Sequence, residues 1–408
     1  DGVGGELENT DILIENGRIA AIGQGLQAPE GASVIDADGR YITPGVVDIH
    51  SHLGVYPSPA VNAHSDGNEV TSPVTAEVWA EHGVWPQDPG FDTALAAGVT
   101  TLHVLPGSAN LFGGRGVTLR NVPSRSVQGM KFPDAPYTLK MACGENPKRV
   151  YGNRGQAPGS RMGNVAGYRE AWQRAAEYRR SWNEYWEAAE NGEDANPPTR
   201  NLELDTLMGV LDGEILVQMH CYRADEMVQI LDMADEFGYQ VTTFHHAVEA
   251  YKIPDVLAEH NTCAAVWADW GGFKMEAYDS IRENLPLTHA GGACAMIHSD
   301  SDLGIQRLNH EVAKALSDGR RMGLDISDAD AVSWFTSAPA RALGIFEETG
   351  SIEEGKRADI VLWSGHPFSS YALADNVYID GALMFDRADP DRRTIRDFML
   401  GQPGEGDY

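Results

Sequence analysis

The chain has 408 residues, 42% of them apolar and 22% charged, with 44 Gly against 21 Pro; this is the composition of a folded protein of two or so domains, not of a disordered or fibrous one. Sixty Asp and Glu against 31 Lys and Arg leave a formal charge of −29, which repels phosphate backbones and anionic lipid and excludes nucleic acid and membrane surfaces as expected partners. No apolar run approaches the roughly 18 residues that a membrane span requires.

In chain order, DILIEN and RIAAIG flank Asn16-Gly17, a dipeptide suited to a tight hairpin turn, and SVIDADGRYITPG continues the sheet. Seven short apolar runs follow, separated by helical or irregular stretches: GVVDIHSH, GVTTLHVLPG, YTLKMACG, EILVQMHCY, YQVTTFHHA, TCAAVWAD and GACAMIHSD. Alternating strand and helix predicts a parallel sheet with helices outside. At least seven such strands over about 300 residues fit a closed (β/α)8 TIM barrel better than an open sheet. One strand is only weakly marked, around Gly114 to Asn121 or Gln128 to Phe132.

A helix is expected from about Val165 to Gly192, where Tyr168, Trp172, Tyr178, Trp182 and Trp186 recur mostly at i, i+4 and predict a face packed on a core. Asn196-Pro197-Pro198 ends that stretch. Strand grammar returns in GSIEEGKRADIVLWSG and NVYIDGALMFD, with Asp380-Gly381 as a second turn signal. The two ends are therefore expected to meet: residues 1–43 and 346–408 form a small β-sandwich domain, and 44–345 the barrel.

Cys143, Cys221, Cys263 and Cys294 are too few for a disulfide scaffold and contain no CxxC pair. Structural zinc is not expected, and Cys221 is expected to be a packed thiol, turned by strand alternation away from any metal held by His220. The opening residues carry no signal-peptide pattern, which leaves open the cytoplasm or, after removal of a leader, the periplasm or cell exterior.

In a barrel of this kind, chemistry gathers at the C-terminal ends of the strands. His50 and His52 lie at i and i+2 at the end of the first apolar run and so share a face. A lone HxH is more often two satisfied polar residues than a metal site. Here, however, His220, His245-His246 and Asp300 each close a further strand, and that donor set suits zinc or a similar divalent ion. Lys140 is unusual inside a strand; an edge lysine snorkelling to water is the alternative to a buried functional one.

Taken in order, Thr43-Pro-Gly-Val-Val-Asp-Ile-His-Ser-His, Gly98-Val-Thr-Thr, Leu139-Lys-Met, His220, His246 with Ala247 and Glu249, His298-Ser-Asp300 and Gly350-Ser-Ile-Glu-Glu-Gly-Lys-Arg-Ala-Asp-Ile-Val resemble the amidohydrolase superfamily of metal-dependent hydrolases, over nearly the whole chain. Gly144-Glu-Asn-Pro-Lys-Arg-Val-Tyr-Gly152 is similar to an imidazolonepropionase-related branch. The resemblance implies two divalent ions, zinc first among candidates. His50, His52 and Asp300 would hold the more buried ion, His220 and His246 the more exposed one, and a carboxylated Lys140 would bridge them. His245 would lie behind the ligands or in the core. Some relatives bridge with a Glu carboxylate. Lys140, flanked by aliphatic residues, takes the bridge here and Glu145 a substrate contact.

The implied reaction is hydrolysis of an amide or cyclic C–N bond of a small molecule, such as an N-acyl amino acid or dipeptide, by a hydroxide shared between the ions, with Asp300 as the catalytic base. A mononuclear deaminase or an imidazolonepropionase-like cyclic-amide hydrolase is the alternative. A non-catalytic scaffold would have lost ligands, and every ligand position is filled. Glu145, Arg149, Tyr151, Tyr222 and Arg223 are candidate substrate contacts. Arg115, Arg154 and Arg161 are also available to a substrate carboxylate. A homo-oligomer is expected.

Overall fold

The computed structural model describes residues 1–390; the expected continuation of the small domain through 391–408 lies outside the described residues. Near one end, β1 (Asp11–Glu15) and β2 (Arg18–Gly23) form an antiparallel hairpin, and β3 (Tyr41–Pro44) leads into β4 (Val46–Ser51). The barrel continues with β5 (Val99–Val104), β6 (Phe112–Arg120), β7 (Thr138–Ala142), β8 (Leu216–Cys221), β9 (Val241–His246), β10 (Cys263–Val266) and β11 (Ala295–Ile297). These eight strands lie side by side in sequence order, giving the (β/α)8 barrel that the alternating pattern predicts.

Two features depart from that pattern. The weakly marked strand is β6, and it runs antiparallel to both β5 and β7. Only residues 105–111 separate β5 from β6, whereas a parallel crossover needs a dozen or more residues, so the chain must turn back. Its faint signal has a steric cause: a Cβ on Gly116 would lie 2.5 Å from Thr138 Oγ1 and 2.7 Å from His103 Nε2. Glycine is required there despite its poor strand propensity. The second feature is the seam between the short β11 and β4, which is closed by Ile297 N–H to Trp334 O (3.0 Å), Val47 N–H to Phe335 O (2.9 Å) and Asp300 N–H to His50 O (2.9 Å).

The expectation of a packed thiol at Cys221 is overturned. Cys143 and Cys221 are joined across the ends of β7 and β8, and Cys263 and Cys294 across the starts of β10 and β11. Cys221 is therefore not a packed thiol. Parallel neighbours bring residues far apart in sequence into register, which no Cys spacing reveals.

The long helix Arg161–Glu190 starts slightly before the expected point, with Ser160 Oγ accepting the Gly163 N–H (3.1 Å) as its cap. Tyr168, Trp172 and Tyr178 are buried, and Trp172 stacks on Tyr239 at 4.4 Å. Beyond them, Trp182, Tyr185 and Trp186 pack mainly on one another.

At the far end of the described chain, β12 (Ile360–Trp363), β13 (Ala374–Ile379) and β14 (Ala382–Asp386) form a sheet in the order β14-β13-β12-β3. Both predicted hairpin turns have left-handed backbones at their two central residues: φ is 52° and 81° at Asn16 and Gly17, and 50° and 71° at Asp380 and Gly381. The two small sheets share a core of Ile12, Ile14, Ile19, Ile360 and Tyr378.

Candidate metal centre

The C-terminal ends of β4, β7, β8, β9 and β11 converge at the barrel mouth. His50, His246 and His298 can present ring nitrogens within 4.8 Å of one another, as can His50 and His52 with the carboxylate of Asp300. The His220 ring lies 4.7 Å from that of His246. Lys140 is fully buried and its Nζ donates to Pro106 O at 3.0 Å. The predicted ligands thus share one end of the barrel, and His298, given no role in the sequence reading, joins them. Its signal was its place two residues before Asp300.

Hydrogen-bond chemistry fixes what the central nitrogens offer. A carbonyl can only accept, so His52 Nδ1 donates to Leu105 O (2.9 Å), which leaves Nε2 a bare acceptor in the neutral ring. His245 Nε2 lies 2.7 Å from Gln218 Oε1 and must donate to it. Its Nδ1 then accepts from His50 Nδ1 (2.9 Å), and His50 Nε2 becomes an acceptor as well. These two Nε2 atoms stand 3.2 Å apart, with Asp300 Oδ1 at 3.3 Å from His50 and 3.1 Å from His52. Three acceptors converge without a donor among them. A shared cation satisfies that arrangement, and the donor set of imidazole and carboxylate fits a divalent metal ion. His245 has the place expected for it, behind a ligand that it orients.

Backbone conformation explains how His246 enters. His245 is in register with His220 on the neighbouring strand, so alternation alone would turn His245 inward and His246 away. At His246 and Ala247 the backbone is left-handed, with φ of 69° and 28°, and the His246 ring swings back to 4.9 Å from His50 and 4.8 Å from His298. Asp300 also has a left-handed backbone, φ 52°. Each such non-glycine residue costs on the order of 1–3 kcal/mol and persists only where the surroundings impose it.

Burial dominates the electrostatics. It holds His50, His220, His245 and His246 well below the ordinary imidazole range and His298 down at about 3, with Lys140 adding to the effect on all of these except His246. Lone pairs are therefore available near neutral pH. Burial also lowers Lys140 to about 7, partly countered by Asp300. For Asp300, burial acts to raise the pKa, but His246, His52 and His298 outweigh it and hold the carboxyl well below its usual range. Behind the ligands, Asp48 accepts the backbone N–H groups of His50 (3.2 Å) and Ser299 (3.1 Å), locking β4 to the segment after β11.

The predicted substrate contacts separate into two groups. Tyr222 stands at the mouth, its ring 4.7 Å from His220 and 5.5 Å from His246. Glu145 faces Lys274 at 3.4 Å, not the histidine cluster. Arg149 lies near Lys274 and makes no ion pair among the described residues. Tyr151 is buried and its hydroxyl is committed to Ser72 O (2.6 Å) and Asn110 (2.9 Å). Arg223 pairs with Asp225, Arg161 with Glu226 and Glu276, and Arg115 with Thr206. Arg154 donates to Val70 O (2.6 Å).

Sequence reasoning missed the segment after β10, where Trp267 stacks on His246 at 4.4 Å and its indole N–H donates to Ser299 O (3.2 Å). On the other side of the mouth, a cavity of about 370 Å³ is lined by Asp66, Asn68, Glu69, Trp79 and Pro106. Tyr56, which bonds Asn68 and packs on His52 at 5.6 Å, links it to the cluster.

Residues 41–389 match the amidohydrolase family. The amidohydrolase tasK of Hapsidospora irregularis is 33% identical over 405 residues, covering 94% of this chain, and the chain spans 41% of that protein's length. A solved amidohydrolase from Thermotoga maritima MSB8 superposes with a TM-score of 0.84 at 35% identity, covering 92% of this chain and 95% of the other. The imidazolonepropionase of Mesorhizobium japonicum is 24% identical over 405 residues, 89% of this chain and 88% of its own.

Proposed function

Because this chain belongs to the amidohydrolase family, we propose that it is a metal-dependent hydrolase that cleaves an amide or cyclic C–N bond of a small molecule, with an N-acyl amino acid or dipeptide as the favoured substrate class. The observation that carries this reading is the convergence of His50 Nε2, His52 Nε2 and Asp300 Oδ1 with no donor between them. Divalent ions, zinc first among candidates, would lower the pKa of a bound water and polarise the substrate carbonyl.

The chain's own residues supply the rest. Asp300 is ionised, and its side chain is a quarter exposed, so it stands between the buried imidazoles and the open mouth. Its carboxylate oxygen can take the proton of an attacking water and return it to the leaving nitrogen. Tyr222 is held protonated, burial having raised its pKa far above the usual phenol value, so its hydroxyl can donate to a developing oxyanion. Lys140, at about 7, has a substantial neutral fraction at physiological pH. Were that amine to add CO2, with an N–C bond formed and one proton lost to solvent, the resulting carbamate would offer an anionic oxygen ligand to a metal ion.

Turnover by a single ion is the second reading, favoured by the fact that His50 belongs to both donor groups. The deciding experiment counts metal per chain on protein purified with bicarbonate and divalent ions, beside Lys140→Ala. About two equivalents that fall sharply in the variant support the bridged pair. About one equivalent, unchanged by the substitution, moves the reading to the mononuclear deaminase or cyclic-amide hydrolase. The disulfides Cys143–Cys221 and Cys263–Cys294 favour maturation in the periplasm or outside the cell, since paired cysteines are rare in a mesophile's cytosol.

A further inference from the structure

The segment from Trp267 to Tyr278 places an unusual amount of exposed aromatic surface at the barrel mouth of an acidic protein. Trp270 is 51% and Phe273 50% exposed, and both pack on Trp267, at 5.1 and 5.9 Å. Trp267 in turn covers His246, and Phe273 lies 6.3 Å from Tyr222. These rings form one continuous apolar face that begins on the histidine cluster and ends in solvent. An apolar patch that opens from a reaction centre is a binding surface by default.

One cation is set into the same wall. Lys274 Nζ lies 4.2 Å from the centroid of the Tyr222 ring, donates to Asn146 Oδ1 at 3.2 Å and faces Glu145 at 3.4 Å. An ammonium has three N–H donors, so one remains after Asn146 and Glu145 are served. Lys274 is near enough to His220 to lower its pKa, and Arg149 is near enough to act on Lys274. Glu276, the other carboxylate acting on Lys274, is already paired with Arg161, so Lys274 brings a cation with a remaining donor to the mouth of a chain whose formal charge is −29. By contrast, Arg115, Arg161 and Arg223 are already engaged.

We propose that Lys274 anchors the substrate carboxylate and that the face of Trp267, Trp270 and Phe273 receives the adjoining side chain, so that the preferred substrate is an acyl or aminoacyl derivative of an amino acid with an aromatic or large aliphatic side chain. This deepens, and rests on, the hydrolase reading above. With the carboxylate on Lys274 and the side chain on the aromatic face, the amide nitrogen lies toward Tyr222 and the histidines, where the bond must be cut.

The test uses N-acetyl-phenylalanine and its C-terminal amide, with Lys274→Met and Lys274→Arg. In the unaltered protein the free acid is the better substrate. Lys274→Met raises KM for the acid by roughly 10- to 100-fold, what one charge-assisted hydrogen bond is worth, and leaves the amide unchanged. Lys274→Arg restores most of the loss. Binding of N-acetyl-phenylalanine, followed by quenching of tryptophan fluorescence, separates the two levels of the argument. Lys274-dependent binding without turnover sinks the hydrolase reading and keeps the anchor. Turnover whose KM and binding ignore Lys274→Met, equal losses for acid and amide, or neither binding nor turnover overturns the anchor.

Discussion

Two carboxylates, the buried Asp359 and the partly exposed Asp300, stand at opposite ends of the barrel in opposite chemical company. At the joint with the small sheets, Asp359 accepts the Asp380 N–H (2.9 Å) and the Thr349 hydroxyl (2.7 Å), and nearby Lys356 donates to Ser351 (2.7 Å) and pairs with Glu353 (2.8 Å). Burial raises Asp359 to about 6, with its hydrogen bonds only partly countering the shift. At the mouth, Asp300 faces ring nitrogens that are themselves acceptors. Buried polar groups alone therefore do not mark a functional site. A mismatch of acceptors with no donor does, because only an added cation resolves it.

The largest effect expected from breaking this contrast is at Asp300. Asp300→Asn replaces the anion by a neutral amide, and kcat/KM should fall by roughly 10²–10⁴-fold together with metal content. A variant that retains ordinary activity and metal would remove the reason for distinguishing the two ends. Stripping the metal with a chelator comes next: a ligand held at 100–1,000 times its dissociation constant stabilises the fold by about 3–4 kcal/mol. Thermal unfolding should therefore shift down on chelation and recover on readdition, and a Tm indifferent to both would show that no ion is bound there.

His245→Phe sharpens the contrast by removing the group that sets the His50 tautomer. Metal affinity should weaken about 10- to 100-fold in a chelator competition, and an unchanged affinity would mean that His50 needs no such support.

The smallest effect lies at the other end. Because burial raises Asp359 to about 6 in the folded protein, above its ordinary value of 3.8 in the unfolded chain, the native state binds the extra proton. Its contribution to stability is full below that lower value and lost as pH rises through about 6. Asp359→Asn should flatten this part of the urea-midpoint profile, and a profile identical to that of the unaltered chain would remove Asp359 from the account.

The barrel was legible because seven of its strands are short apolar runs, and the small sheets because Asn16-Gly17 and Asp380-Gly381 suit left-handed turns. Most of the His and Asp cluster was legible because those residues end strands. Less visible was β6, where close contact with His103 and Thr138 demands glycine and erases the strand signal. The disulfides depend on which strands neighbour each other in space. Trp267 and Lys274 lie on a loop, whose path toward His246 and Tyr222 follows no period. Tyr151 looked equally available in sequence, yet the fold buries its hydroxyl against Ser72 and Asn110.

The reversal of β6 has a consequence for how this protein can vary. By turning back after residues 105–111, the chain places Leu105 O against His52 and Pro106 O against Lys140. Both contacts are made by peptide carbonyls, so no side-chain replacement removes them and an alanine scan of the loop would pass over them in silence. Two central residues are thus braced by parts of the chain that carry no sequence identity. Insertions or deletions within 105–111, not substitutions, are the changes to which this brace is exposed.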